Sequence, residues 1–137
     1  MDLPILRPYV NPIKSSPVTH SKDYKETVNK LKAIMQTNKP FLISNLKVED
    51  LSKLVGVQKN TLTEILKKQF GMNFNVFVNT WRIEEFVKKA NDADAAKYDI
   101  VGIAMECGFA SKASFFRVFK QIKGTTPAEY LTRMNIN

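Results

Sequence analysis

One unit is written twice in this chain, and that repeat limits the fold more than any other feature. Leu51, Ser52, Val55, Gly56 and Val57 return 52 positions later as Ile103, Ala104, Cys107, Gly108 and Phe109, matching in type and in order. After one extra residue the spacing becomes 53, and Leu62, Ile65, Leu66, Gly71, Phe77 and Val78 answer to Phe115, Val118, Phe119, Gly124, Tyr130 and Leu131. Each copy reads as a short helix, a Gly turn, a second helix ending at Gly, and a third helix entered through an aromatic residue. A small residue (Ser52, Ala104) four positions before a Gly (Gly56, Gly108) lets the second helix cross the first closely. The Gly accepts the positive φ that ends the first helix. The pattern predicts two helix-turn-helix units, each with a small apolar core and an outward face on its second helix.

The rest of the chain is read around that repeat. Pro4, Pro8, Pro12 and Pro17 crowd the start, each removing a backbone donor and pushing its predecessor toward extended geometry. Residues 1–21 are therefore expected to be a flexible Pro-rich linker, with His20 in it. Tyr24, Val28, Leu31, Ile34 and Met35 recur at helical spacing and predict a helix over about residues 22–37, stopped at Asn38-Lys39-Pro40. Phe41 to Leu46 reads as a short apolar connector. Phe74, Phe77, Val78, Trp81, Phe86 and Ala90 mark a long helix over about 73–91 that joins a first unit at about 22–72 to a second at about 98–135. Thr126-Pro127-Ala128-Glu129 opens the last helix with Thr as N-cap, Pro at N1 and Glu at N3. No strand pattern of any length occurs, so the fold class is all-α.

Composition narrows the function. The 137 residues suffice for one ordinary domain or two very small ones, and not for a sensor plus an effector of usual size. Twenty-one Lys and Arg against 13 Asp and Glu leave a net charge of +8, which favours a polyanionic partner, nucleic acid or an acidic membrane surface. No stretch approaches the roughly 18 consecutive apolar residues of a membrane span, so no membrane contact is expected of this segment. The start has no apolar core followed by a small-residue cleavage site, and is not read as a secretory signal. A single Cys permits no internal disulfide, which suggests a reducing, aqueous, cytoplasmic setting. One Cys and one His make no zinc set or nucleophilic pair, and no Gly-rich phosphate loop occurs. No catalytic residues, metal or cofactor are therefore expected, and the chain is not read as an enzyme.

The run Ile103-Ala104-Met105-Glu106-Cys107-Gly108-Phe109-Ala110-Ser111-Lys112-Ala113-Ser114-Phe115-Phe116-Arg117-Val118-Phe119-Lys120, continued by Gly124-Thr125-Thr126-Pro127 and Tyr130, resembles the signature of AraC/XylS-type transcription regulators. The resemblance covers about residues 24–135, including Leu51 to Gly71 and Trp81-Arg82-Ile83. It implies a seven-helix, all-α DNA-binding domain: two helix-turn-helix subdomains joined by a long linker helix, their second helices entering successive major-groove segments of double-stranded DNA. It also implies that the domain is the C-terminal output of a longer regulator. Further partners would then be an upstream sensor or effector domain and RNA polymerase. The first unit departs from the family pattern, because Lys47 and Gln58 stand where a Ser or Thr cap is usual and neither caps a helix well.

Candidate DNA contacts follow from the outward faces. Residues 111–124 carry Lys112, Arg117, Lys120 and Lys123 and no acid, where a merely solvated face would mix signs. Phe115, Val118, Phe119 and Ile122 form the apolar face, which leaves Lys112, Ala113, Phe116 and Arg117 outward. Phe116 suits contact with a thymine methyl or packing against a neighbouring helix, and Arg117 suits guanine O6 and N7 or a phosphate. Ser111 and Ser114 cap the helix or touch phosphate. In the first unit the candidates are Lys59, Asn60, Thr61, Thr63 and Lys67. Glu64, beside them, could accept from cytosine N4, but a pair with Lys67 or Lys68 is favoured. Arg82, Glu84 and Glu85 are read as ion-pair partners rather than an acid/base cluster, and Cys107 as a core residue, since the first copy has Val55 there. A competing reading keeps the basic face but gives it an acidic protein partner, such as polymerase or a sensor domain.

Overall fold

The computed structural model describes residues 18–92 and 99–136, with side chains over 24–92 and 99–134. Residues 1–17 of the expected linker, and the approach to the second unit at 93–98, lie outside them. The described residues form seven α-helices and no strand: α1 Val18–Thr37, α2 Val48–Val55, α3 Lys59–Ile65, α4 Phe74–Asp92, α5 Ile100–Glu106, α6 Lys112–Lys123 and α7 Pro127–Ile136. A 3-10 turn at Pro40–Leu42 follows α1, and Leu66–Phe70 prolongs α3 as a π-type turn. Because α1 begins at Val18, His20 falls inside a helix rather than in the linker where it was expected.

The chain divides into two compact units, one running to Pro40 and resuming over Leu46–Phe77, the other made of Phe41–Asn45 and the chain from Val78 onward. In the first, α2 ends at Gly56 with φ 87°, where the Gly56 and Val57 amides donate to the Ser52 carbonyl at 2.8 and 3.1 Å. Ser52 is buried, and its hydroxyl donates to the Glu49 carbonyl at 2.8 Å. That local bond lets a polar residue occupy the close-crossing position that Ala104 fills in the other copy. Val28, Leu31 and Met35 of α1, Leu51 and Val55 of α2, and Leu62, Ile65 and Leu66 of α3 and its extension are buried. Phe70 and Phe77 meet at 5.1 Å between ring centroids.

The second unit has one continuous core. Ile83, Phe86, Val87 and Ala90 of α4 pack with Ile103, Ala104, Cys107, Phe109, Phe115, Val118, Phe119 and Leu131. Phe86 lies 4.8 Å from Phe115 and 5.7 Å from Phe119, and Phe119 lies 5.5 Å from Tyr130, in tilted or edge-on arrangements favoured by ring quadrupoles. Cys107 is fully buried among these side chains, where the repeat puts it. α7 opens as expected. The Thr126 hydroxyl accepts from the Glu129 amide at 3.2 Å, and the Glu129 carboxylate accepts from the hydroxyls of Thr125 at 2.6 Å and Thr126 at 3.1 Å.

Two features differ from the sequence reading. The helix expected to stand between the units is shared: Phe74–Phe77 of α4 belong to the first and Val78 onward to the second. The connector Phe41–Asn45, expected with the first unit, belongs to the second, and Arg82 is the reason. Its Nε donates to the Phe41 carbonyl at 2.7 Å, Nη2 to the carbonyls of Ile43 at 2.8 Å and Ser44 at 3.4 Å, and Nη1 to Asn79 Oδ1 at 3.1 Å. Among the described residues Arg82 therefore serves backbone carbonyls and not the ion pair expected of it, and burial holds its pKa below the usual value. Trp81 stacks on Phe41 with centroids 6.0 Å apart, adding apolar contact to the same attachment.

Candidate nucleic-acid interface

The second helices of the two units carry the candidate contacts, and their N-termini are built differently. Ser111 caps α6, its Oγ accepting from the Ser114 amide at 3.1 Å, and Asp99 caps α5, its carboxylate accepting from the Val101 amide at 3.1 Å. In the first unit neither Lys47 nor Gln58 makes a side-chain cap. The deficit at α2 is half repaired from inside the helix, where the Asp50 carboxylate accepts from the Lys47 amide at 3.0 Å, the reverse limb of a capping box. At α3 no such repair occurs. Like α6, however, α3 with its π-type extension ends at a Gly, Gly71 with φ 69° against Gly124 with φ 77°.

On α6, Phe115, Val118 and Phe119 are buried and Lys112, Ala113, Arg117 and Lys120 are exposed, as the periodicity predicts. Among the described residues Lys112, Arg117 and Lys120 have no ion-pair partner, so their charges face outward uncompensated. Phe116 is not outward. It is half-buried, packs on the core of its own unit and lies 5.2 Å from the Phe115 ring. Ser114 is half-buried beside the cap.

Lys123 also departs from expectation. Its Nζ sits 2.6 Å from Glu84 Oε2 with both side chains less than a fifth exposed, at 16% and 17%, and 5.2 Å from the centre of the Tyr130 ring. Burial pushes the ammonium pKa down, but the hydrogen bond and charge of Glu84, with Tyr130, outweigh it and hold the amine above its ordinary value. Lys123 is thus a strut between α6 and α4, and the ion pair expected for Glu84 is found here. Lys123→Ala is expected to lower the stability of the second unit by about 1–3 kcal/mol, because it strands the Glu84 carboxylate. A raised folded pKa stabilises below the unfolded lysine value of about 10.4, so this contribution persists through neutral pH and disappears as pH rises through the folded value. Urea unfolding checks it, and the salt dependence of DNA binding should stay unchanged; a fall in that slope of about one unit would make Lys123 a phosphate contact after all.

On α3, Lys59, Asn60 and Thr63 are exposed, as is Lys67 on the extension, whereas Thr61 is half-buried. Lys59 Nζ lies 3.2 Å from Glu49 Oε2 in an exposed pair that salt screens, so the lysine stays available to a phosphate. Asn60, Thr63 and Lys67 have no side-chain hydrogen bond or ion pair among the described residues. Glu64 pairs with Lys68 at 2.8 Å, one of the two lysine partners favoured for it. A partner that sequence reasoning missed is Tyr24 of α1, whose hydroxyl donates to Glu64 Oε1 at 2.7 Å. Burial, then the hydrogen bond and charge of Glu64, push the Tyr24 phenol up to about 12. No helix among the described residues is long and apolar enough to cross a membrane, and no cluster of three or more His, Cys, Asp or Glu among them is placed to hold a metal ion.

Paired helices closed by Gly turns, with a basic and acid-free second helix in the second pair, define a helix-turn-helix domain. Residues 51–133 match the helix-turn-helix domain family, and the chain belongs to it, as a member of the AraC type. An uncharacterized HTH-type transcriptional regulator of Staphylococcus aureus is 36% identical over 86 residues, which are 63% of this chain and 11% of that protein. The chain thus spans about a tenth of such a relative. Solved structures share the fold, two of them as follows. A DNA-binding transcriptional dual regulator from Escherichia coli K-12 superposes with a TM-score of 0.65 at 16% identity, covering 81% of this chain and 94% of that one. The C-terminal domain of AraT, a response regulator from Geobacillus stearothermophilus, superposes with a TM-score of 0.62 at 20% identity, covering 86% of each.

Proposed function

We propose that this chain is the output domain of a transcription regulator and binds double-stranded DNA sequence-specifically, α3 and α6 entering successive major-groove segments. The observation that carries the reading is the outward face of α6: Lys112, Arg117 and Lys120, exposed, with no acid on residues 111–124 and no internal ion-pair partner among the described residues. Three uncompensated cations on one helix repel each other and gain most from a polyanion. Arg117 is the candidate reader of guanine, and Ala113, small and exposed one turn earlier, lets the helix approach base edges. Lys112, Lys120 and the capped N-terminus at Ser111 suit phosphates. In the first unit Asn60 is the candidate reader of adenine, with Lys59, Thr63 and Lys67 beside it. A sensor or effector domain and RNA polymerase are further proposed partners, the first supported by the small share of its relative that the chain spans.

Selection of bound sequences from random duplex DNA tests the reading, followed by footprinting of the selected site. Two protected segments about one helical turn, roughly 10 to 10.5 bp, apart are expected. A single short segment would leave α6 as the only reader, and weak binding with little salt dependence and no selected sequence would point to an acidic protein partner instead. Arg117→Ala is expected to cost about 1–3 kcal/mol on the selected site and to relax preference at one base pair. Equal losses on all sequences would reassign Arg117 to phosphate.

A further inference from the structure

The two copies of the repeat place a lysine at the first position of each second helix, Lys59 on α3 and Lys112 on α6. The second position of the preceding helix differs between them: Glu49 on α2 against Val101 on α5. Glu49 Oε2 lies 3.2 Å from Lys59 Nζ, both side chains being about half-exposed. Val101 offers Lys112 no such group, and among the described residues Lys112 has no ion-pair partner. A backbone hydrogen bond at its own amide, then the hydrogen bond of Lys59, hold the Glu49 carboxyl below its ordinary range, and the charges of Lys59 and Lys47 add to this. It is therefore ionised through neutral pH. A lysine that meets a phosphate displaces a condensed counterion, and each such contact steepens the fall of log affinity with log salt by about 0.9. On the DNA-binding reading above, Lys112 does this outright. Lys59 has first to leave Glu49, and a carboxylate deserted beside phosphates takes up a cation from solution, which cancels the one released.

We propose that Glu49 is a positioning residue that sets how strongly the first unit engages DNA: it keeps the Lys59 ammonium on the protein, so that α6 supplies the electrostatic anchor and α3 adds little salt-dependent affinity. This rests on the DNA-binding reading, in which α3 and α6 both face the duplex. Glu49→Gln keeps the length of the side chain and a good helix former at an exposed position, so the fold is retained while the restraint is lost.

The test measures affinity for the duplex selected by the wild type, from about 50 to about 200 mM salt, in Glu49→Gln, Lys59→Gln, the double variant and Lys112→Gln, each shown to be folded by circular dichroism. Glu49→Gln should bind about three- to tenfold tighter at the low-salt end and steepen the slope by about one unit, so that its advantage shrinks about three- to fourfold at the high-salt end. Lys59→Gln should change the slope by less than about half a unit when Glu49 is present and lower it by about one unit once Glu49 is replaced. Lys112→Gln should lower it by about one unit in the wild-type background. An unchanged slope in Glu49→Gln would overturn the proposal, as would a full-unit fall for Lys59→Gln alone, which would show that Glu49 does not restrain the lysine. A Glu49→Gln gain that persists undiminished beside Lys59→Gln would overturn it too, because Glu49 would then act on DNA directly. If the wild type selects no sequence at all, the function reading fails and the role of Glu49 falls with it; a selected site with a Lys112 effect and no Glu49 effect sinks the restraint alone.

Discussion

Gly108→Ala is expected to destabilise the second unit by about 3–5 kcal/mol, enough to unfold a domain of ordinary marginal stability at modest denaturant. Two costs combine. Gly108 has φ 105°, where a Cβ is strained by about 1–2 kcal/mol or more. A Cβ there would also stand 2.2 Å from the Phe41 carbonyl oxygen and 2.8 Å from Arg82 Nε, inside the hydrogen bond that joins them. The backbone must move, and a half-buried guanidinium then loses an acceptor at about 1–3 kcal/mol. Gly124→Ala is the control, since Gly124 also has a positive φ, 77°, but a Cβ there meets nothing within 4 Å. It should cost only the strain, about 1–2 kcal/mol. Urea unfolding followed by Trp81 fluorescence compares the two, and equal costs would mean that the connector does not approach Gly108 so closely.

That contrast also marks how far the sequence could be read. Gly56 and Gly108 were legible as helix-ending glycines because the repeat aligns them and positive φ is a local requirement. The second constraint on Gly108 was invisible, since it comes from a carbonyl 67 positions earlier, and a backbone carbonyl carries no side-chain signature. Arg82 hid for the same reason: beside Glu84 and Glu85 it reads as an ion-pair member, whereas it holds three carbonyls of the connector. Lys123 and Tyr24 find carboxylates 39 and 40 positions away, beyond the reach of periodicity. Periodicity did separate the faces of α6, yet it misjudged Phe116, because a large ring at the edge of an apolar face can fold back onto it. Lys47 and Gln58 were legible as poor caps because capping is a contact between neighbours in sequence.

Cys107→Asp is expected to abolish folding of the second unit, and Cys107→Val to be nearly silent. The site is fully buried in the core that also holds Ala104, Phe115 and Phe119, and Val55 occupies its counterpart in the other unit, also buried. Val therefore has nearly the volume and polarity the site accepts, and such swaps cost less than about 1.5 kcal/mol. An aspartate brings a charge into an apolar site, where burial without a partner costs several kcal/mol even after the carboxyl is neutralised and its hydroxyl left unbonded. The pH dependence identifies the cause. In the folded Asp variant the carboxyl would hold its proton more tightly than the unfolded value of about 3.9, so the folded state binds more protons and stability falls as pH rises above that value. Circular dichroism of Cys107→Asp across pH 3 to 7 should show residual helix recovering toward acid, with the wild type as reference for the general acid sensitivity of its other carboxylates. A folded Cys107→Asp protein at neutral pH, or a Cys107→Val protein that is folded but no longer binds its DNA, would remove Cys107 from the core and with it the equivalence of the two repeats at this position.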